Sequence, residues 1–97
     1  MRLVIEKEHN LGKEEVKKKA EQIFLRYKEE YQDEIADFQQ DWNKDELIFS
    51  FSTRGFNIIG RIFVSDMNIR LEVDLPFLAR FFRGRIEAGI RNNLDKI

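Results

Sequence analysis

Between Glu46 and Leu75 apolar and polar residues alternate in three successive stretches parted only by short turns, and few folds accommodate that pattern. In 46–53 (ELIFSFST), Leu47, Phe49 and Phe51 fall on one side and Ser50 and Ser52 on the other. In 56–65 (FNIIGRIFVS), Phe56, Ile58, Ile62 and Val64 share a side, with Gly60 marking a bulge or a close approach of another group. In 69–75 (IRLEVDL), Ile69, Leu71, Val73 and Leu75 point one way and Arg70, Glu72 and Asp74 the other. Period two with one apolar side defines strands buried on a single face. Connections as short as Arg54-Gly55 and Ser65-Asp66-Met67-Asn68 require neighbouring strands to be antiparallel.

The rest of the chain extends this meander. Residues 35–42 (IADFQQDW) alternate, placing Ala36, Phe38 and Trp42 on one side, and Asn43-Lys44-Asp45 forms the turn into the next strand. Residues 2–8 (RLVIEKE) read as a strand that joins the sheet at its edge. After a turn at His9-Asn10-Leu11-Gly12, where Gly12 or Asn10 caps the following element, residues 13–31 have helical spacing. Val16, Ala20, Ile23, Phe24, Tyr27 and Tyr31 lie within a sector roughly 100° wide, suited to packing on a sheet. Glu14 and Glu15 occupy the first turn, where the helix dipole favours acids. The expected architecture is a two-layer α+β domain spanning 1–97, in the order β-α-β-β-β-β-α, with about five strands and both helices on one face.

The last stretch, 74–97, does not fit one straight amphipathic helix. Phe77, Leu78, Phe81 and Phe82 cover one sector at ~100° per residue, and Ile86, Ile90, Leu94 and Ile97 cover another about 140° away. Either the chain breaks near Gly84, giving a short turn of helix or loop at 77–82 and a helix from about 84 to 95, or one sector is buried and the other is offered to a partner. Arg80, Arg83 and Arg85 surround Phe81 and Phe82, and only Glu87 offsets them. Phe77, Arg80, Phe81, Phe82, Arg83 and Arg85 are therefore the candidate interaction patch, since bulky apolar groups rimmed by arginine suit an interface. The alternative is a core segment whose arginines extend to water.

Catalytic and metal readings find no constellation. Asp41-x-Asn43-x-Asp45 begins like a calcium loop, but Glu46 and Ser52 stand where that loop needs glycine and an acid. His9, the only histidine, has no assignable nucleophile or orienting acid and reads as a turn residue. Ser50, Ser52 and Ser65 lack a nucleophile-elbow setting, and the glycines at 55, 60, 84 and 89 form no phosphate loop. Trp42, beside a turn, is expected to close one end of the core. With no cysteine, thiolate chemistry and disulfides are excluded. We expect a non-enzymatic protein with no cofactor and no metal.

Lys+Arg of 17 against Asp+Glu of 18 gives a net charge of −1, which does not favour nucleic acid or anionic lipid. The N-terminal MRLVIEKEHN has no signal-peptide core, and no apolar run nears the ~20 residues of a transmembrane segment. A cytoplasmic location is the expectation.

Several stretches together resemble a known family. They are His9-Asn10-Leu11-Gly12, the hairpin segment 42–49 (WNKDELIF), 60–64 (GRIFV), 71–78 (LEVDLPFL) and the closing 84–88 (GRIEA). In that order they are similar to the polyhydroxyalkanoic acid system protein family of bacteria, over nearly the whole chain. The family pattern usually has glycine where this chain has Lys44, and often glycine in place of Pro76. It has no assigned catalytic residues, so none carry over.

The resemblance implies an association with polyhydroxyalkanoate granules. The expected partner is the granule surface or a granule protein, contacted through Phe77–Arg85. A second expectation is a helix-grip-like carrier of a small apolar ligand, which needs a cavity above ~300 Å³. A third is a homodimer in which the extra apolar sector is the subunit contact.

Overall fold

In the computed structural model, which describes residues 1–97, five strands alternate with three helical segments. Strand β1 spans Arg2–Glu8 and helix α1 spans Lys13–Glu30; β2 is Ile35–Asn43, β3 Glu46–Thr53, β4 Phe56–Val64 and β5 Asn68–Asp74. A 3₁₀ helix, Phe77–Phe82, leads into α2, Arg83–Leu94. The strands form one sheet in the order β1-β5-β4-β3-β2, with every neighbouring pair antiparallel. The expected α+β order and the edge position of β1 are both observed.

Register explains the single-sided burial. Leu3 pairs with Val73 and Ile5 with Leu71, Ile62 with Leu71 and Leu47, and Gly60 with Val73 and Phe49, so one face is continuously apolar. The opposite face carries Arg2 beside Asp74 at 3.1 Å, Arg70 beside Glu6 at 3.9 Å and Arg61 beside Glu46 at 3.9 Å. These exposed pairs contribute little to stability, but they keep the outer face soluble in water. Val16 and Ala20 of α1 and Leu94 of α2 complete the buried core from above.

Gly60 is a close-approach point and not a bulge, because its pairing with both neighbours is continuous. The Phe49 ring lies directly over it, and a Cβ there would come within 2.2 Å of that ring. Phe49 also meets Phe24 of α1 at 4.7 Å between ring centroids, so the missing side chain at residue 60 seats the aromatic contact between sheet and helix.

Two of the hairpin turns carry positive φ. Arg54 (51°) and Gly55 (82°) both do, as a two-residue hairpin with the right-handed strand twist requires. Lys44 (56°) does so alone, in the loop between β2 and β3. A β-carbon at such a φ costs roughly 1–2 kcal/mol, so glycine at this position would relieve strain. Asp45, beside it, receives Lys13 at 3.0 Å and Lys17 at 3.2 Å from the first turns of α1, pinning the hairpin under the helix.

Two local expectations need correction. Ala36 is not on the side of Phe38 and Trp42: it pairs with Ser52 on the outer face. A bulge between Ala36 and Gln39, with Asp37 at φ 54°, inserts an extra residue and restores the inward phase at Phe38. Phe56, paired with Thr53 at the start of β4 beside the turn, is 40% exposed and not core. Of the two expected caps of α1, Gly12, at φ 84°, is the one that holds the N-cap position, as the sequence allowed.

Gly60→Ala is expected to destabilise the fold by about 1–3 kcal/mol through overpacking, measured by urea unfolding. Adding Phe49→Leu should recover part of that loss, since it removes the clashing ring. Asp45 is held below its ordinary carboxylate range by hydrogen bonds from Lys13 and then Lys17. Its contribution is therefore present above the unfolded-state pKa of ~3.9 and lost as pH falls through the lower folded value. Asp45→Asn should be less stable than the parent at neutral pH and equal to it below the folded pKa, in parallel denaturation series.

Candidate functional site

The sheet ends at Asp74, where β5 still pairs with Arg2 of β1, and Leu75 is the last buried residue of that strand's line. Pro76, at φ −61° and ψ 152°, then sends the chain off extended. Past this point no strand lies underneath. The 3₁₀ helix from Phe77 to Phe82 spans the step from sheet to helical layer, and Ala79 alone of its residues packs against the core.

Phe77 is 65% exposed, Leu78 57%, Phe81 69% and Phe82 56%. The reading of these four as core is thus overturned. Ile86, Ile90 and Ile97 are half-buried against the core and Leu94 is buried, so the second sector does pack. The two sectors are separated by a change of helix type at Phe82 (φ −116°, ψ 12°), two residues before Gly84, where a break was expected.

In a 3₁₀ helix residues i and i+3 eclipse, which aligns Arg80 with Phe77. The Arg80 guanidinium lies 3.8 Å from the Phe77 ring centre and 4.7 Å from that of Phe81, stacked on both faces. Such contacts hold the two rings apart and upright. Arg83 and Arg85 are exposed on the following turn. All six sequence-predicted patch residues, Phe77, Arg80, Phe81, Phe82, Arg83 and Arg85, are therefore at the surface in one short lobe.

A second feature was not located by sequence. Helix α1 lies above β3, with Tyr27 6.2 Å from Phe51 as well as Phe24 against Phe49. Helix α2 lies on the β1 side, where Lys7 donates to the Leu94 carbonyl at 2.9 Å and so caps the negative end of the helix. Between the helices a cleft of about 650 Å³ stays open, floored by Phe49, Ile58, Ile62 and Val73. This exceeds the ~300 Å³ threshold set for a ligand site. Tyr27 and Tyr31 stand on its α1 wall, and burial pushes the Tyr27 phenol above its ordinary value, with Tyr31 and Glu34 adding to the effect.

The remaining candidates have structural placements. His9 Nε2 donates to the Ser65 carbonyl at 2.9 Å while Nδ1 accepts from the Leu11 N–H at 3.4 Å, which joins the end of β1 to the β4–β5 turn. Trp42 packs half-buried on the core edge, with the Lys17 ammonium 5.4 Å above its ring. Asp41 and Asn43 are exposed on β2, and Asp45 is engaged by the two lysines, so the three do not converge. No group of three or more acids and histidines gathers in a way that could hold a metal ion. No helix is long and apolar enough to cross a membrane.

Neither a curated protein nor a solved structure matches this chain. A comparison with protein families matches residues 3–97 to the polyhydroxyalkanoic acid system protein family, the same family that the turn and strand motifs resemble. That match spans every element from β1 to the end of α2, and the chain is a member of the polyhydroxyalkanoic acid system protein family.

Proposed function

We propose that this protein is a non-enzymatic accessory of the polyhydroxyalkanoate system that attaches to the apolar polyester surface of a granule through the Phe77–Arg85 lobe. The observation that carries this reading is the simultaneous exposure of Phe77, Leu78, Phe81 and Phe82 on one short helix beyond the sheet's end. Burying apolar surface is worth ~25 cal/mol per Å², so a contact covering these four side chains supplies several kcal/mol. Arg80, Arg83 and Arg85 remain at the rim, where water and polar groups of the surface meet them.

Total surface area supports an interaction role. The chain exposes 6723 Å², against about 5,900 Å² for a monomeric protein of this mass. The surplus is comparable to one partner's share of a standard interface, roughly 800 Å². The engagement of His9 in turn hydrogen bonds supports a role without catalysis.

The Phe81→Asp/Phe82→Asp variant tests both exposure and attachment. Because both rings are solvent-facing, its stability should change by no more than ~0.5 kcal/mol per site, against 3–5 kcal/mol for each ring lost from a core. In co-sedimentation with polyester particles the parent should pellet equally in low salt and in 1 M salt, and the variant should stay in the supernatant. A variant that pellets like the parent overturns the reading. Binding to native granules but not to bare polyester would transfer the contact to a granule protein.

A further inference from the structure

We propose that the cleft between α1 and α2 binds an amphipathic carboxylate, an unbranched aliphatic acid of medium length, with its chain over Phe49, Ile58 and Ile62 and its carboxylate at the Arg26–Arg85 end. This site shares only Arg85 with the exposed lobe and takes a different chemical class. At about 650 Å³ the cleft lies within the ~300–1,000 Å³ range of small-molecule sites, and its floor and walls are mostly apolar, as such sites are. Its α1 wall runs from Ala20 to Tyr31, roughly 16 Å at 1.5 Å per residue. That length receives an extended chain and not a compact ring system.

Charge decides the headgroup. The charged side chains lining the cleft are Arg26, Arg85, Lys96 and a single acid, Glu30. None of the three cations has a carboxylate within ion-pairing distance, so each is free to meet an anionic group in the cleft. Two of the three share one end. Thr53 Oγ1 donates to the Glu34 carbonyl, fixing the C-terminal end of α1 beside the β3–β4 turn, and α2 starts near the end of β5 on that same side. Arg26 and Glu30 near the end of α1 and Arg85 near the start of α2 therefore flank the same mouth, together with Tyr31, which leaves one net positive charge there. A guanidinium on either side of an apolar channel favours an anionic headgroup over a neutral or cationic one.

The same charges argue against a second copy of this chain as the occupant. The densest group of exposed large apolar side chains is the Phe77–Phe82 lobe, and it carries Arg80 with Arg83 and Arg85 adjacent. Inserting it into an arginine-flanked cleft would set like charges together.

Gly89 supplies the test. It lines the cleft from the middle of α2, and a Cβ there meets nothing within 4 Å. Gly89→Leu fills the channel while removing a helix-interior glycine, which favours the helix. Calorimetric titration of the full chain should use decanoate, decan-1-ol and decyltrimethylammonium, each below its micellar concentration. Decanoate is expected to bind one per chain, and Arg85→Gln or Arg26→Gln to weaken it about tenfold or more, the worth of a charged hydrogen bond. Gly89→Leu should abolish binding with the thermal midpoint unchanged or raised. No decanoate binding, equal affinity for decan-1-ol, or undiminished binding by Gly89→Leu would each overturn the proposal. Because Gly89→Leu leaves Phe77–Phe82 untouched, its pelleting with polyester particles separates failure here from failure of the attachment reading.

Discussion

A five-stranded antiparallel sheet with one apolar face has to be covered, and everything else in this molecule answers to that requirement. The face is continuous because the register aligns Ile5, Leu71, Ile62 and Leu47 in one row across four strands. Two helices are available to cover it. Phe49 over Gly60 and against Phe24 sets how closely α1 can approach, and the Lys7–Leu94 hydrogen bond holds α2 on the other side. The helices so placed leave a gap, and the link into α2 overruns the end of the sheet. Both unpartnered apolar surfaces, one concave and one convex, follow from that geometry.

Their chemistry differs in a way that separates their uses. The lobe presents four large side chains to solvent, with arginine stacked between two of the rings, and suits an extended apolar surface met from one side. The cleft lies between two walls and has Arg26 and Arg85 at one mouth, which suits a single molecule with a polar end. Arg85 belongs to both, closing the lobe on one side and flanking the cleft on the other. The family match covers the whole fold, lobe and cleft included, and the proposed attachment to polyester would use the lobe.

The strands from 46 to 75 were legible because alternation there depends only on which side faces the core, and the turns between them are set by local chemistry. Gly60 announced a close approach for the same reason: only the absence of a side chain admits the Phe49 ring. Ala36 was misplaced because a bulge at Asp37 shifts the phase by one residue, and no residue type in IADFQQDW marks it. In the C-terminal stretch two apolar sectors were readable, but which one packs depends on where the sheet stops, a tertiary fact. The break fell at Phe82 and not Gly84, four residues before α2 first packs on the core at Ile86. The position of the cleft was not legible, since the spacing between two helices is fixed by contacts far apart in the chain.

The division of apolar surface into an exposed lobe and a sheltered interior is the central claim, and fluorine NMR on protein labelled with fluorophenylalanine tests it most directly. The chain has nine phenylalanines, and each gives a separate probe. With a soluble paramagnetic agent, Phe77, Phe81 and Phe82 should broaden strongly while Phe24 and Phe49 stay sharp. On adding polyester particles, the three lobe signals should change first. Uniform protection of all nine rings, or a particle response at Phe49 and Phe51 with none at Phe81 and Phe82, would contradict the account.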